Sequence, residues 1–311
     1  MMTKILSPLE CYDALLQQKN PFFADYFAFY SSLLGGITLT PQLMQLPLDD
    51  HMVHRGDGVF EAMKVVSGRI YLIDAHLERL LYSASCIGLT SPWTLAEIKA
   101  IIQETLAVTA QQKASIRVFL SRGPGDFSAN PYDAIAAQLY VVVMRLKEPK
   151  LEKYTQGVAI GKSRIPTKQD WMSQIKSCNY LPNVLMKREA VDRGLDYVIG
   201  VDERGYVTES STENVMIVDK DGLLVHPPFE RILKGTTMVR VCELAAEIGI
   251  ESKIRHITLE ELSQAQEMMM VGTSINVLPV VRYEDQKIQT GQPGQIAKIL
   301  NQLLLDDQTL V

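Results

Sequence analysis

Apolar and polar positions alternate with a period of two in several short stretches and follow a helical period in others, so the chain predicts mixed α and β structure. Residues 1–26 predict a helical lead-in that is apolar on one face, regular structure begins near Phe27-Ala-Phe-Tyr30, and Gly35-Gly36 marks a turn. Gly58 to Val66, the turn Ser67-Gly68 and Arg69 to Ile73 predict a β-hairpin. Asp74 is expected to cap a helix whose apolar face runs through Leu77, Leu80, Leu81, Ala84 and Ile87. A second helix over 94–110 and strands over 115–121 and 138–146 follow. Lys147-Glu-Pro-Lys-Leu-Glu-Lys153 is charged, bears a proline and lacks periodicity, which predicts an interdomain linker between residues 1–146 and 154–311. Beyond it, strands are expected at 157–162, 196–201, 206–208, 214–218 and 223–225, and an amphipathic helix from Thr236 to about Ile248. No internal repeat or low-complexity tract interrupts this pattern, so two α/β domains are the economical reading.

Composition narrows the partners. A net charge of −5 with scattered basic residues argues against nucleic acid or an anionic membrane as the main partner. The longest apolar runs, such as Leu139 to Met144 and Met268 to Val271, fall far short of the roughly 20 residues that span a bilayer. The N-terminal residues from Met1 lack a secretory pattern, and the widely spaced Cys11, Cys86, Cys178 and Cys242 read as reduced thiols of a cytoplasmic protein. His51 and His54 follow two aspartates, but the segment offers neither a helix for metal-ligand spacing nor further ligands, so no metal is expected.

The chemistry centres on Lys176, placed between a strand-like apolar run and a fresh helix start. A lysine that loses its water deprotonates more easily, and a neutral amine attacks a carbonyl to form an imine. Downstream, Lys234-Gly-Thr-Thr237 opens a helix and Gly272-Thr-Ser274 closes a buried strand. Free backbone N–H groups and hydroxyls of this kind suit a phosphate, although simple capping by Thr236 or Thr237 explains the first cluster equally well. Glu209 is either an exposed turn carboxylate or the acid beside a pyridine nitrogen, with Glu213 a competing candidate. Arg79 suits either a helix-surface ion pair with Asp74 or Glu78, or a phosphate clasp. Tyr180 either packs as a half-buried aromatic or donates to a ring oxygen, and Asn183 and Asn214 read as turn and cap residues. An amine, an acid and two phosphate-compatible clusters together suggest pyridoxal 5'-phosphate.

Arg55-Gly-Asp-Gly-Val-Phe-Glu61, His76-Leu-Glu-Arg79, Ile175-Lys-Ser-Cys-Asn-Tyr180, Val207-Thr-Glu209, Leu233-Lys-Gly-Thr-Thr237 and Gly272-Thr-Ser274 occur in that order. In these the chain resembles the fold-type IV, class IV pyridoxal-phosphate aminotransferases, from about Tyr30 to about Leu304. The resemblance implies a small N-terminal α/β domain, a larger C-terminal pseudo-barrel domain, a cofactor held between them, and a homodimer. It implies that Lys176 forms the imine and shuttles the substrate proton, and that Glu209 pairs with the pyridine nitrogen. Arg79, Thr237 and Thr273, with the Thr236 backbone, would hold the phosphate, Tyr180 would contact the ring oxygen, and Ser274 would meet the substrate carboxylate.

Asp49 to Gly56, Gly123 to Phe127 and Lys176 to Asn183 look most like the plant-type D-amino-acid aminotransferase branch. The specificity positions diverge from one another. Phe60 replaces the tyrosine of bacterial D-amino-acid enzymes, whose arginine and histidine carboxylate trap is missing from Ser121 to Ser128. Phe60 with Tyr180 matches branched-chain enzymes, yet Lys64 stands where bacterial ones carry arginine. Ala62 replaces a threonine used by aminodeoxychorismate lyases. The expectation is a transaminase moving an amino group between an amino acid, with a D-amino acid favoured, and a 2-oxo acid. A branched-chain L-amino-acid aminotransferase, an aminodeoxychorismate lyase and an inactive cofactor-binding interaction module stand as alternatives.

Overall fold

The computed structural model describes residues 3–310, apart from the side chain of Asp170, so Met1, Met2 and Val311 of the expected segments lie outside it. The chain divides after Leu146 into two compact units.

The first unit runs α1 (Pro8–Leu16), β1 (Tyr26–Ser31), β2 (Gly36–Thr38), α2 (His51–Arg55), β3 (Gly58–Val66), β4 (Arg69–Ile70), α3 (Ile73–Cys86), α4 (Leu95–Ala107), β5 (Ala114–Ser121) and β6 (Gln138–Met144). Its strands form an antiparallel sheet in the order β2-β1-β6-β5-β3-β4. Alternate residues of β5, among them Ile116, Val118 and Leu120, are fully buried, as are Leu77 and Leu80 of α3. Of the expected lead-in only α1 is an α-helix; Ser7 and Glu10 close a reciprocal cap on it, and none of its residues is buried. Asp74 does not cap α3. Leu72, in the left-handed region at φ 54°, occupies the N-cap without a side-chain bond, and Asp74 sits in the first turn, where it pairs with Lys99 at 2.6 Å. The second helix starts where Thr94 and Glu97 form a capping box. Residues 51–55 do form one helical turn, contrary to the helix-free segment expected there, with Asp50 capping it.

The second unit runs α5 (Leu151–Gln156), β7 (Val158–Lys162), α6 (Asp170–Ser173), α7 (Leu181–Asp192), β8 (Tyr197–Val201), β9 (Val207–Ser210), β10 (Asn214–Val218), β11 (Leu224–His226), α8 (Thr236–Glu247), β12 (Ser252–Ile254), α9 (Leu259–Gln264), β13 (Glu267–Gly272), β14 (Asn276–Tyr283), β15 (Gln286–Lys287) and α10 (Gln295–Leu310). Helix α5 takes up residues read as linker. The sheet order is β12-β11-β10-β13-β14-β7-β8-β9, with β15 on β14; β11–β12, β14–β7 and β7–β8 pair parallel. Its core gathers Ile160, Ile199, Val215, Met270 and Leu278, all fully buried. No helix among the described residues is long and apolar enough to cross a membrane.

Candidate active site

Lys176 follows the short helix α6 rather than a strand, and is 8% exposed. At that exposure little of the side chain meets bulk water, which is the condition the chemistry asks for. Tyr180 takes the N-cap position of α7 without a side-chain cap bond. Its ring centroid lies 5.7 Å from Lys176 Nζ.

Two side-chain amides knit this segment to the rest of the unit. Asn183 is in the first turn of α7 and buried; its Nδ2 donates to the Ser211 carbonyl at 2.5 Å, which ties the lysine segment to the turn after β9. Asn214 opens β10, and its Nδ2 donates to the Leu233 carbonyl at 3.0 Å and reaches Glu209 Oε2 at 3.5 Å. Neither is the turn or cap residue expected from sequence. Gly235 is required where it stands, since a Cβ there would collide with the Asn214 amide oxygen.

Glu209 is a strand residue of β9, half-buried rather than an exposed turn acid. Its Oε2 accepts from the Leu233 backbone N–H at 3.1 Å. Glu213, the competing acid, is buried and receives the Thr212 hydroxyl.

The phosphate-compatible clusters converge. Asn214 pairs with Val271 across β10 and β13, so the turn beginning at Thr273 comes beside the Leu233–Thr237 loop. Thr237 Oγ1 and Thr273 Oγ1 are 3.4 Å apart. Helix α8 starts there with Gly235 as an N-cap that supplies no side-chain bond, and both Thr236 and Thr237 are buried. Backbone N–H groups of a helix start, two hydroxyls and the helix dipole are the chemistry of an anion cradle. Ser274 is exposed in the turn between β13 and β14. A buried amine, a hydrogen-bonded carboxylate and this cradle, all in the second unit, fit an aldehyde-bearing pyridine phosphate.

Arg79, Phe60 and Lys64 belong to the first unit. Instead of the expected helix-surface pair with Asp74 or Glu78, Arg79 clasps a residue of β3. Its Nε and Nη2 donate to Oε1 and Oε2 of Glu61 at 2.7 and 2.8 Å, and His76 Nδ1 lies 2.7 Å from Oε2. Burial alone would push the Glu61 carboxyl up; the Arg79 and His76 charges overturn this and hold it far below the usual carboxylate range. Phe60 stacks on Phe119 with centroids 5.9 Å apart, and Lys64 is 2% exposed. His51 and His54 are edge to face at 5.0 Å, and no cluster of three or more potential metal ligands occurs among the described residues.

Comparison with known proteins gives the family. The amino-transferase class IV model matches residues 58–283. A chloroplastic D-amino-acid transaminase of Arabidopsis thaliana is 39% identical over 288 residues, covering 91% of this chain and 76% of the relative. A putative branched-chain-amino-acid aminotransferase of Methanocaldococcus jannaschii is 32% identical over 262 residues, 84% of this chain and 90% of the relative. Among solved structures, a T.th. branched-chain amino acid aminotransferase with pyridoxamine 5'-phosphate superposes with a TM-score of 0.86 at 25% identity, covering 91% of this chain and 94% of the other. The protein belongs to the class IV aminotransferases, and its mixed α/β architecture is theirs.

Proposed function

We propose that the protein is a pyridoxal-phosphate transaminase that passes an amino group from a D-amino acid to a 2-oxo acid, with Lys176 as the catalytic residue. The observation that carries this reading is the single network in the second unit. There Asn183 ties the segment of a buried lysine to the turn after β9, Asn214 and the Leu233 N–H hold the Glu209 carboxylate, and the Thr237 and Thr273 hydroxyls face each other at the α8 start. The preference for a D-amino acid draws on the 39% identity with the plant transaminase.

When bound, pyridoxal phosphate supplies an aldehyde for amine capture and a ring that takes up electrons from the substrate. Lys176 Nζ would be the base that takes the substrate proton and returns it. Glu209 would hold a proton at the pyridine nitrogen, its carboxylate fixed in place by the Leu233 N–H and the Asn214 amide. The Thr237 and Thr273 hydroxyls, with the Thr236 backbone, would hold the phosphate, and the Tyr180 phenol would contact the ring oxygen. Arg79 as a further phosphate ligand, Phe60, Lys64 and Ser274 as substrate contacts and a homodimeric assembly follow from the family resemblance, and a cytoplasmic setting from the widely spaced cysteines.

A branched-chain L-amino acid is the second reading, favoured by the structural likeness to branched-chain enzymes. Half-reactions with D- and L-amino acids, followed by the cofactor's visible absorbance, separate the two. Borohydride reduction followed by peptide mapping checks the lysine: a pyridoxyl group on any residue other than Lys176 refutes the assignment.

A further inference from the structure

A second lysine approaches the ring that Lys176 approaches. Lys168, on the loop between β7 and α6, has its Nζ 4.7 Å from the Tyr180 ring centroid, against 5.7 Å for Lys176 Nζ. Two cations therefore share one aromatic side chain. Lys168 also lines a cavity together with Glu209, Arg231, Asn183 and Thr208. This cavity belongs to the same network: Asn183 binds the turn after β9, and Glu209 binds the loop before α8. Burial draws the Lys168 ammonium below its ordinary proton affinity, and the Glu209 carboxylate draws it back.

We propose that Lys168 is a positioning residue for Lys176: its positive charge, held at the shared Tyr180 ring, disfavours the protonated form of the Lys176 amine and so enlarges the neutral fraction able to capture a carbonyl. A like charge nearby is one of the established ways to activate a lysine nucleophile. The other charged groups around it do not supply this effect. Glu209 carries the opposite charge, and the group it draws on is Lys168. Arg231 lines the same cavity, but its guanidinium is answered by Glu203 at 3.1 Å and Asp202 at 3.9 Å. Lys234, on the loop before α8, sits over the Phe229 ring. Glu213 is engaged by the Thr212 hydroxyl. Removing Lys168 takes a cation away from the Tyr180 ring that Lys176 also approaches, and so raises the proton affinity of Lys176.

The inference rests on Lys176 being the cofactor-capturing amine, so the experiment separates the two. The full chain, freed of cofactor, is acetylated by trace acetic anhydride across a pH series, and the Lys176 peptide is quantified by mass spectrometry. Lys168→Met is expected to raise the labelling midpoint of Lys176 by about one pH unit, which is about tenfold less neutral amine below the midpoint. Lys168→Arg is expected to keep the wild-type midpoint, and Lys168→Gln repeats the test if the methionine variant does not fold. An unmoved midpoint in the neutral variants, with borohydride placing pyridoxal phosphate on Lys176, overturns the role of Lys168 alone. Absence of the pyridoxyl adduct from wild-type Lys176 overturns the underlying reading instead.

Discussion

Glu61 offers the sharpest test of how the first unit is held. Its side chain is fully buried and accepts from Arg79 at 2.7 and 2.8 Å, with His76 2.7 Å away. Glu61→Ala removes the carboxylate shared by a guanidinium that is 11% exposed and an imidazole that is 1% exposed. Taking one partner from a buried charge cluster costs about 3–5 kcal/mol, mostly the penalty of leaving the others uncompensated. Summing about 1.5–3 kcal/mol for each lost charged hydrogen bond would give more, but water entering the space left by the carboxylate recovers part of it. At about 2–4 °C per kcal/mol for a unit of this size, the melting point should fall by roughly 10 °C. Glu61→Gln keeps the shape and an acceptor, and should lose less.

Urea unfolding of the full chain measures this, with Trp93 of the first unit as the reporter in a Trp171→Phe background. Because the folded Glu61 carboxyl titrates far below its ordinary value of about 4.3, its contribution is complete above that pH and declines as pH falls beneath it. The gap between wild type and Glu61→Ala should therefore narrow in acid. A loss below about 1 kcal/mol at pH 7, or a gap that widens in acid, would show that the triad does not hold the unit together. A double-mutant cycle with Arg79→Met should be strongly non-additive, since the first substitution already removes the partner of the second.

Three further outcomes follow from the second unit. Glu209→Gln should retain cofactor capture but slow the half-reaction by one or more orders of magnitude, because a neutral amide cannot hold a proton on the pyridine nitrogen; unchanged single-turnover rates would make Glu209 a structural residue. Thr237→Val removes one hydroxyl of the 3.4 Å pair at nearly constant volume and should weaken cofactor binding about five- to tenfold, read by absorbance titration, with no change in melting point. Gly235→Ala has an unstrained backbone but drives its Cβ into the Asn214 amide, so cofactor affinity should fall by about tenfold or more while the far-ultraviolet circular dichroism stays native. Wild-type affinity in that variant would mean the Asn214 amide does not support Glu209.

Strands and helices with one buried face were legible because their side chains repeat at the period of the element. The expected bounds of β3 and α8 lie within a residue of those found, and β10, buried along its whole length, was legible as a short apolar run. Two other elements gave no usable signal. Helix α7 leaves Leu181, Val184 and Val191 exposed, so its apolar residues never settle on one face. Strand β14 is almost wholly buried and carries Pro279, which lacks the N–H of a ladder donor and hides the strand signal. Leu72 took the cap position from Asp74 because Tyr71 is drawn back to the β3–β4 hairpin, its N–H bonding the Lys64 carbonyl at 2.9 Å.

The site residues divide along the same line, and the reason is register. Lys176, Glu209, Thr237 and Thr273 stand in short motifs with chemistry of their own, so sequence alone marks them. Asn214 has no such signal: its importance comes from pairing with Val271, which brings the Thr273 turn to the Leu233 loop, and from an amide that spans Leu233 and Glu209. Arg79 illustrates the same limit. Its partner Glu61 lies on a different element, beyond any i,i+3 or i,i+4 rule. Lys168 is the strongest case, because an unremarkable loop lysine gains its proposed role only when the fold brings it to the Tyr180 ring that Lys176 also approaches. Residues that react can be read from what they are, whereas residues that position them are read only from what the fold sets beside them.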